Sequence, residues 1–321
     1  MKKLLFLAFL AMSCSKEPLL PEDTADGSLS RSKPVAVFEP RKLDRYMYVD
    51  DTDTLYNNPQ GRRAFTSYMK RYGFNGAYFY STSSFLSDPA NYPDFADLLR
   101  QLSDSGVAYR AICSGSAGKF LATGDVTRYN QSQSDPRKKI NRANLELEWW
   151  NGACTYNDWD ATNRQIAGGS IPDNDFYIGW YDDMGGWKDS VAAREQVLQS
   201  DRILLHCYQN GIPTYSYANR KSSGASAGRL DLIARGASLA GKRIDLLIII
   251  SAADTAFGAS SVCTGAALRA AASQSNPYAF IELQAYANIV NSMTPFQRQW
   301  INFKGFVWFE KKYCYKAVPP R

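Results

Sequence analysis

The chain has one histidine in 321 residues, His206. Ser-His-Asp hydrolysis, Cys-His proteolysis and His-rich zinc sites each need an imidazole, so all of them lack parts if His206 is structural. It lies in "DRILLHCYQNG", read as the end of a helix from about Trp187 to Asn210, where a partly buried imidazole with no chemical task is expected. Cysteine is equally sparse. Apart from Cys14 there are Cys113, Cys154, Cys207, Cys263 and Cys314, with no C-x-x-C pair and an odd count that leaves at least one thiol unpaired. A domain large enough to build its own core does not need a disulfide framework. No block of Lys and Arg interleaved with aromatics is present, and the net charge of +6 falls to +4 without Lys2 and Lys3, so nucleic acid is not an expected partner. No G-x-G-x-x-G or Walker sequence follows any strand, which removes the commonest reason for an open, cofactor-binding sheet. No cofactor and no metal are expected.

Long apolar runs are also missing. The one near the start, Leu4 to Met12, follows Lys2 and Lys3 and is too short to span a bilayer, so it reads as a signal peptide. "LAMSC" resembles the lipobox of bacterial lipoproteins, which implies acylation at Cys14. Residues 1–14 are thus expected to be a lipoprotein-type signal, and residues 15–34, rich in Pro, Ser, Asp and Glu, a flexible tether. The expected location is the cell envelope, on the outer membrane or cell surface, with the membrane touched through the lipid alone.

Residues 35–321 alternate strand-like and helix-like runs. Strands are expected at Tyr46–Asp53, Phe74–Ser81, Val107–Gly115 and Asn144–Asn151, followed by an irregular insertion over Gly152–Gly186 and the helix that holds His206. Further strands are expected at Ile212–Arg220, Ile244–Asp254, Tyr278–Ala287 and Gly305–Tyr313, with helices between them. Eight strands alternating with helices over this length predict an α/β fold, a single-domain (β/α)8 TIM barrel. Function in such barrels sits at the C-terminal strand ends. That rim would carry Asp50, Asp51, Asp53, Tyr80, Ser114, Gly115, Glu146, Glu148, Tyr217, Asn219, Ser251, Asp254, Gln284, Tyr286, Trp308 and Glu310.

The fourth strand, "NLELEWWN", is the centre of interest. Period-2 alternation puts Asn144, Glu146, Glu148 and Trp150 on one face and Leu145, Leu147 and Trp149 on the other. Carboxylates that share a face near aromatic rings suit sugars, because paired acids move protons and make nucleophiles while Trp and Tyr faces stack on pyranose rings. "NRANLELEWW" resembles the D-x-x-D-x-D-x-E signature of family 18 glycoside hydrolases, the chitinases and endo-β-N-acetylglucosaminidases. "VAYRAICSGSAG" is similar to that family's third-strand run, and "GFVWFE" to its last-strand Gly-x-x-x-Trp run. The resemblance implies Glu148 as proton donor, Glu146 as the acid that steadies the substrate's acetamido group, Asn141 and Asn144 at the earlier acidic positions, and Trp308 as a sugar floor. It also implies an endo-type, retaining, substrate-assisted reaction on N-acetylglucosamine-containing glycans. The sequence departs from the family where Glu replaces Asp at 146 and where the sixth strand ends "ISAAD" without the expected Tyr, for which Tyr217 or Tyr181 is the substitute. Trp150, Tyr80, Tyr181, Asp182, Asp183, Tyr217, Gln284 and Tyr286 complete the expected substrate surface, and Glu282 is the alternative second acid. A glycan-binding barrel without catalysis is the other function these residues allow.

Overall fold

The computed structural model describes residues 43–114, 124–146, 155–167, 171, 173–178, 189–222, 224–255 and 264–320. Among the described residues, eight parallel strands run in chain order: β1 Asp44–Val49, β2 Gly76–Phe79, β3 Tyr109–Ser114, β4 Arg142–Leu145, β5 Asp173–Ile178, β6 Arg202–His206, β7 Ile244–Ser251 and β8 Ile301–Phe309. Each strand pairs with the next, and β8 returns to β1 with Asp44 opposite Gly305 and Met47 opposite Trp308, which closes the ring. The architecture is α/β and TIM-barrel-like.

Local chemistry explains the elements. Helix α1, Pro59–Arg71, starts at Asn58, whose side chain accepts from the Gly61 amide, with Pro59 in the first turn where its missing N–H costs nothing. Helix α2, Tyr92–Asp104, buries Phe95, Leu98, Leu99 and Leu102, the three-and-four spacing of one helical face, and stops before Gly106 in the left-handed region at φ +91. Strand β7 is buried on both faces by Leu246 through Ile250, as a parallel strand covered by helices should be.

Side chains divide into two layers. Outside the ring, an extended cluster joins strands to helices; inside it, Tyr46, Tyr48, Tyr78, Cys113, Leu204, Leu247, Ile249 and Val307 fill the barrel. The tyrosines come from alternate positions of β1 and β2, so the period of the strand places them inward. Gly76 makes room for one of them: a Cβ there would come within 2.5 Å of the Tyr46 ring.

Four expected elements are corrected. Ile212–Arg220 is not a strand; it contains the short helix Tyr215–Ala218, with Arg229 donating to the carbonyls of His206, Tyr217 and Ala218. Tyr278–Ala287 lies inside a helix, Pro277–Val290, which Asn276 caps and which buries Tyr278, Ile281, Ala285 and Ile289 at helical spacing. The expected insertion instead holds a helix, Tyr156–Ala167, and β5. The expected long helix over His206 is split at Ser200 into a helix, Ser190–Gln199, and β6, whose "RILLH" run is wholly buried. The count of eight was therefore reached with two strands misplaced. Helix Arg229–Ala240 precedes β7, and helix Lys311–Ala317 follows β8.

Candidate active site

A cleft of about 390 Å³ opens at the C-terminal ends of the strands, lined by Tyr48, Asp50, Tyr80, Ser81, Glu146, His206, Tyr208, Phe309 and Glu310. Its parts come from β1, β2, β4, β6 and β8 and the residues that follow them, so only the closed ring assembles it. Tyr48 and Phe309 pack edge to face with ring centroids 5.6 Å apart, and Tyr208 lies 5.5 Å from Phe309.

Glu146 occupies one side of this cleft. The Tyr48 hydroxyl donates to its Oε1 at 2.7 Å, and the Tyr80 hydroxyl donates to its Oε2. Beneath it, Asn144 is fully buried and its amide nitrogen donates to Tyr48 Oη at 2.9 Å and to Glu146 Oε1 at 3.2 Å. Burial and the nearby Glu146 carboxylate push the Tyr48 phenol well above its usual value, so it stays a proton-bearing donor. A carboxylate held by converging donors on the wall of a cleft can steady positive charge that develops on a bound sugar.

The other side carries Glu310, 5% exposed at the end of β8. Its Oε1 pairs with the Lys312 ammonium, which also reaches Asp50 Oδ2 at 3.2 Å. Burial lifts the Glu310 carboxyl from its ordinary value to about 7; Asp50 adds to the rise and Lys312 opposes it. His206 ends β6 rather than a helix. It is 3% exposed, and burial, then Arg229 and Arg220, holds its imidazole well below the usual value, so it lines the cleft as a neutral ring beside Tyr208.

The expected site is therefore brought together only in part. Glu146, Asn144 and Tyr80 meet as one hydrogen-bonded group. Trp308 is fully buried and turned outward, its indole N–H donating to Glu282 at 2.8 Å, so it is no sugar floor; Val307 and Phe309 take the inward positions of β8. Glu282 is no cleft acid either. It sits on the Pro277–Val290 helix in a bidentate pair with Arg45, at 2.7 and 2.5 Å. Gln284 and Tyr286 share that helix, with Tyr286 against Phe303, and Tyr217 lies in the short helix under the Arg220 guanidinium; none of the three lines the cleft. Glu148, Trp150, Tyr181, Asp182, Asp183 and Cys14 lie outside the described residues.

Tyr48, Tyr208 and Phe309 were not expected in the site. Alternation in "YMYVD" and "GAYFYS" carries the signal for Tyr48 and Tyr80 together, since residues two apart on neighbouring strands share the interior. Among the described residues no group of His, Cys, Asp and Glu is arranged to hold a metal ion.

Known proteins offer little beside this geometry. No protein-family model matches the sequence, and no curated protein does. Solved structures that resemble the chain include a chitinase from Chromobacterium violaceum, at 12% identity over 86% of this chain and 98% of that one, TM-score 0.39. A GH138 enzyme targeting pectin rhamnogalacturonan II is 8% identical over 85% of this chain and 35% of its own, TM-score 0.40. A chimeric (S)-mandelate dehydrogenase mutant is 11% identical over 68% of this chain and 67% of its own, TM-score 0.33. At such scores none of them bears on the chemistry of this cleft, which rests on its own residues.

Proposed function

We propose that the chain is an envelope-anchored glycoside hydrolase, with Glu146 as a positioned carboxylate of the reaction. The observation that carries this is the cradle: one acid, held by two tyrosine hydroxyls and an asparagine amide, on the wall of an aromatic cleft at the C-terminal mouth of a barrel. The finer proposal follows the signature resemblance. The substrate is an N-acetylglucosamine-containing glycan, cleaved internally with retention, its own acetamido oxygen acting as nucleophile. Glu148, two residues beyond Glu146, gives the proton to the leaving oxygen, and Glu146 steadies the charge on the acetamido group as the ring forms. The proposal extends to export and anchoring through acylated Cys14, which mass analysis of the membrane-bound chain tests by the added lipid.

One observation favours a second reading. Asn144 is an amide where the signature carries an acid, and it holds Glu146 and Tyr48 without offering a proton. A barrel that captures glycans without cleaving them accounts for this.

The test is hydrolysis of chitooligosaccharides and high-mannose N-glycans by the full chain, beside Glu146→Gln and Glu148→Gln, with glycan binding recorded for each. Turnover that falls by about 10² or more in both variants while binding persists supports the hydrolase. Binding without turnover in any of the three proteins supports glycan capture. Neither binding nor turnover in the unaltered chain would sink both.

A further inference from the structure

We propose that Glu310, bridged through Lys312 to Asp50, forms the subsite of the cleft that binds an uncharged sugar ring by its hydroxyls, and that binding requires the proton on Glu310. This rests on the glycan reading above and deepens it, since nothing in the signature resemblance places a ligand group at 310 or 312.

The three groups form one charge cluster. Lys312 Nζ contacts Glu310 Oε1 and Asp50 Oδ2, and the Asp50 carboxylate favours the protonated form of Glu310. Glu310 is 5% exposed yet lines the cleft, so it cannot relieve its charge in bulk water. With one ammonium between two carboxyls, a single proton makes the cluster neutral; without that proton it carries one net negative charge. The neutral form presents donors and acceptors side by side with no excess charge, which matches vicinal sugar hydroxyls. Phe309, adjacent in sequence, and Tyr208, 5.5 Å from it, supply the apolar faces a pyranose ring stacks on. Such a wall disfavours uronic acids, whose carboxylate would face Asp50 and, on the far side, Glu146.

His206, from β6, stays neutral because of burial, and the Tyr48 phenol, from β1, keeps its proton. Cys314, on the helix that follows β8, is pushed up by burial and remains a thiol, and Lys312 is raised chiefly by its bond to Glu310. Lys311 is engaged by Asp51, and Tyr208 and Tyr80 close the rim.

Titration calorimetry of the full chain with chitotetraose between pH 5.5 and pH 8.5 tests this, with tetragalacturonate as the charged counterpart. The expected result is binding of chitotetraose that weakens about tenfold from pH 6 to pH 8, as one proton is lost from a group titrating near 7, and no binding of tetragalacturonate. Glu310→Gln, which keeps the shape and cannot ionise, should bind with an affinity flat across that range. Asp50→Asn should move the loss to lower pH, because Asp50 is one of the groups holding the proton on Glu310, which gives a second readout should Glu310→Gln fold poorly. A pH dependence that survives unchanged in both variants would overturn the subsite, as would tetragalacturonate binding as tightly as chitotetraose, or no chitotetraose binding at any pH. Hydrolysis is measured separately, so binding with the expected pH dependence but no turnover leaves the subsite standing while the hydrolase fails.

Discussion

Glu146 and Glu310 line the same cleft and are held in opposite ways. Glu146 is surrounded by neutral donors, and the Tyr80 hydroxyl on its Oε2 is the one that can be removed with least disturbance to the interior, since Tyr80 is only half-buried. Tyr80→Phe is expected to lower turnover or glycan affinity, and to cost roughly 1.5–3 kcal/mol for the lost hydrogen bond to a charged group. Chemical denaturation checks the stability cost, and glycan binding and turnover measured beside it check the functional loss. Glu310 shows its burial in stability as well. Its carboxyl titrates higher in the folded chain than in the unfolded one, so between about 4.5 and 7 the folded state holds the extra proton and stability falls as pH rises. The melting temperature of the natural chain should therefore drop between pH 5 and pH 8 by more than that of Glu310→Gln. An equal drop in the two would mean that Glu310 contributes nothing to the pH dependence.

Among elements, the Pro277–Val290 helix is tied to strands β1 and β8 through Glu282. Glu282, 1% exposed, receives two bonds from Arg45 of β1 and one from the Trp308 indole of β8. The residue that first looked like an alternative catalytic acid is thus a structural tie. Glu282→Gln leaves the Arg45 guanidinium buried with its charge uncompensated, and a loss of about 3–5 kcal/mol is expected from equilibrium unfolding. Cleft chemistry should survive wherever the variant stays folded, which separates the tie from a catalytic role. Gly305 makes a second element-scale prediction. A Cβ there would meet the Asp44 carbonyl at 1.9 Å, with φ at +154, so Gly305→Ala should push β8 away from β1 at the seam and lower soluble yield sharply. Circular dichroism of the variant at low temperature, showing loss of the native spectrum, is the check.

At the scale of the molecule, a ring closed by β8 against β1 is expected to unfold as one cooperative object, and its thiols report on it. Cys113, Cys207 and Cys314 are buried; burial pushes Cys207 up to about 12 and Cys314 higher still. In the native chain at pH 8 these three should resist alkylation, then react together at the denaturant midpoint, which peptide mass mapping of labelled protein resolves. Staggered labelling, with one thiol reacting well before the others, would mean that a sector of the barrel opens by itself.

The sequence by itself determined the class of the fold and one wall of the site. Helix α2 was legible because its apolar residues recur at one face and a glycine stops it, and β7 because an unbroken apolar run bounded by polar residues is a buried parallel strand. Glu146 and Asn144 shared a face by period alone, and the alternating tyrosines of β1 and β2 could have been added by the same rule. Tertiary structure decided the rest. A short apolar run reads the same in helix and strand, so "RILLH" became β6 and "YAFIELQAYA" a helix only when the neighbours to be covered were in place. Which side of β8 faces inward depends on its register against β1 and β7, and that register sends Trp308 out to Glu282 and brings Phe309 to the cleft. Asp50 and Glu310 are 260 positions apart in the chain, and only the closing pair of strands puts one lysine between their carboxylates.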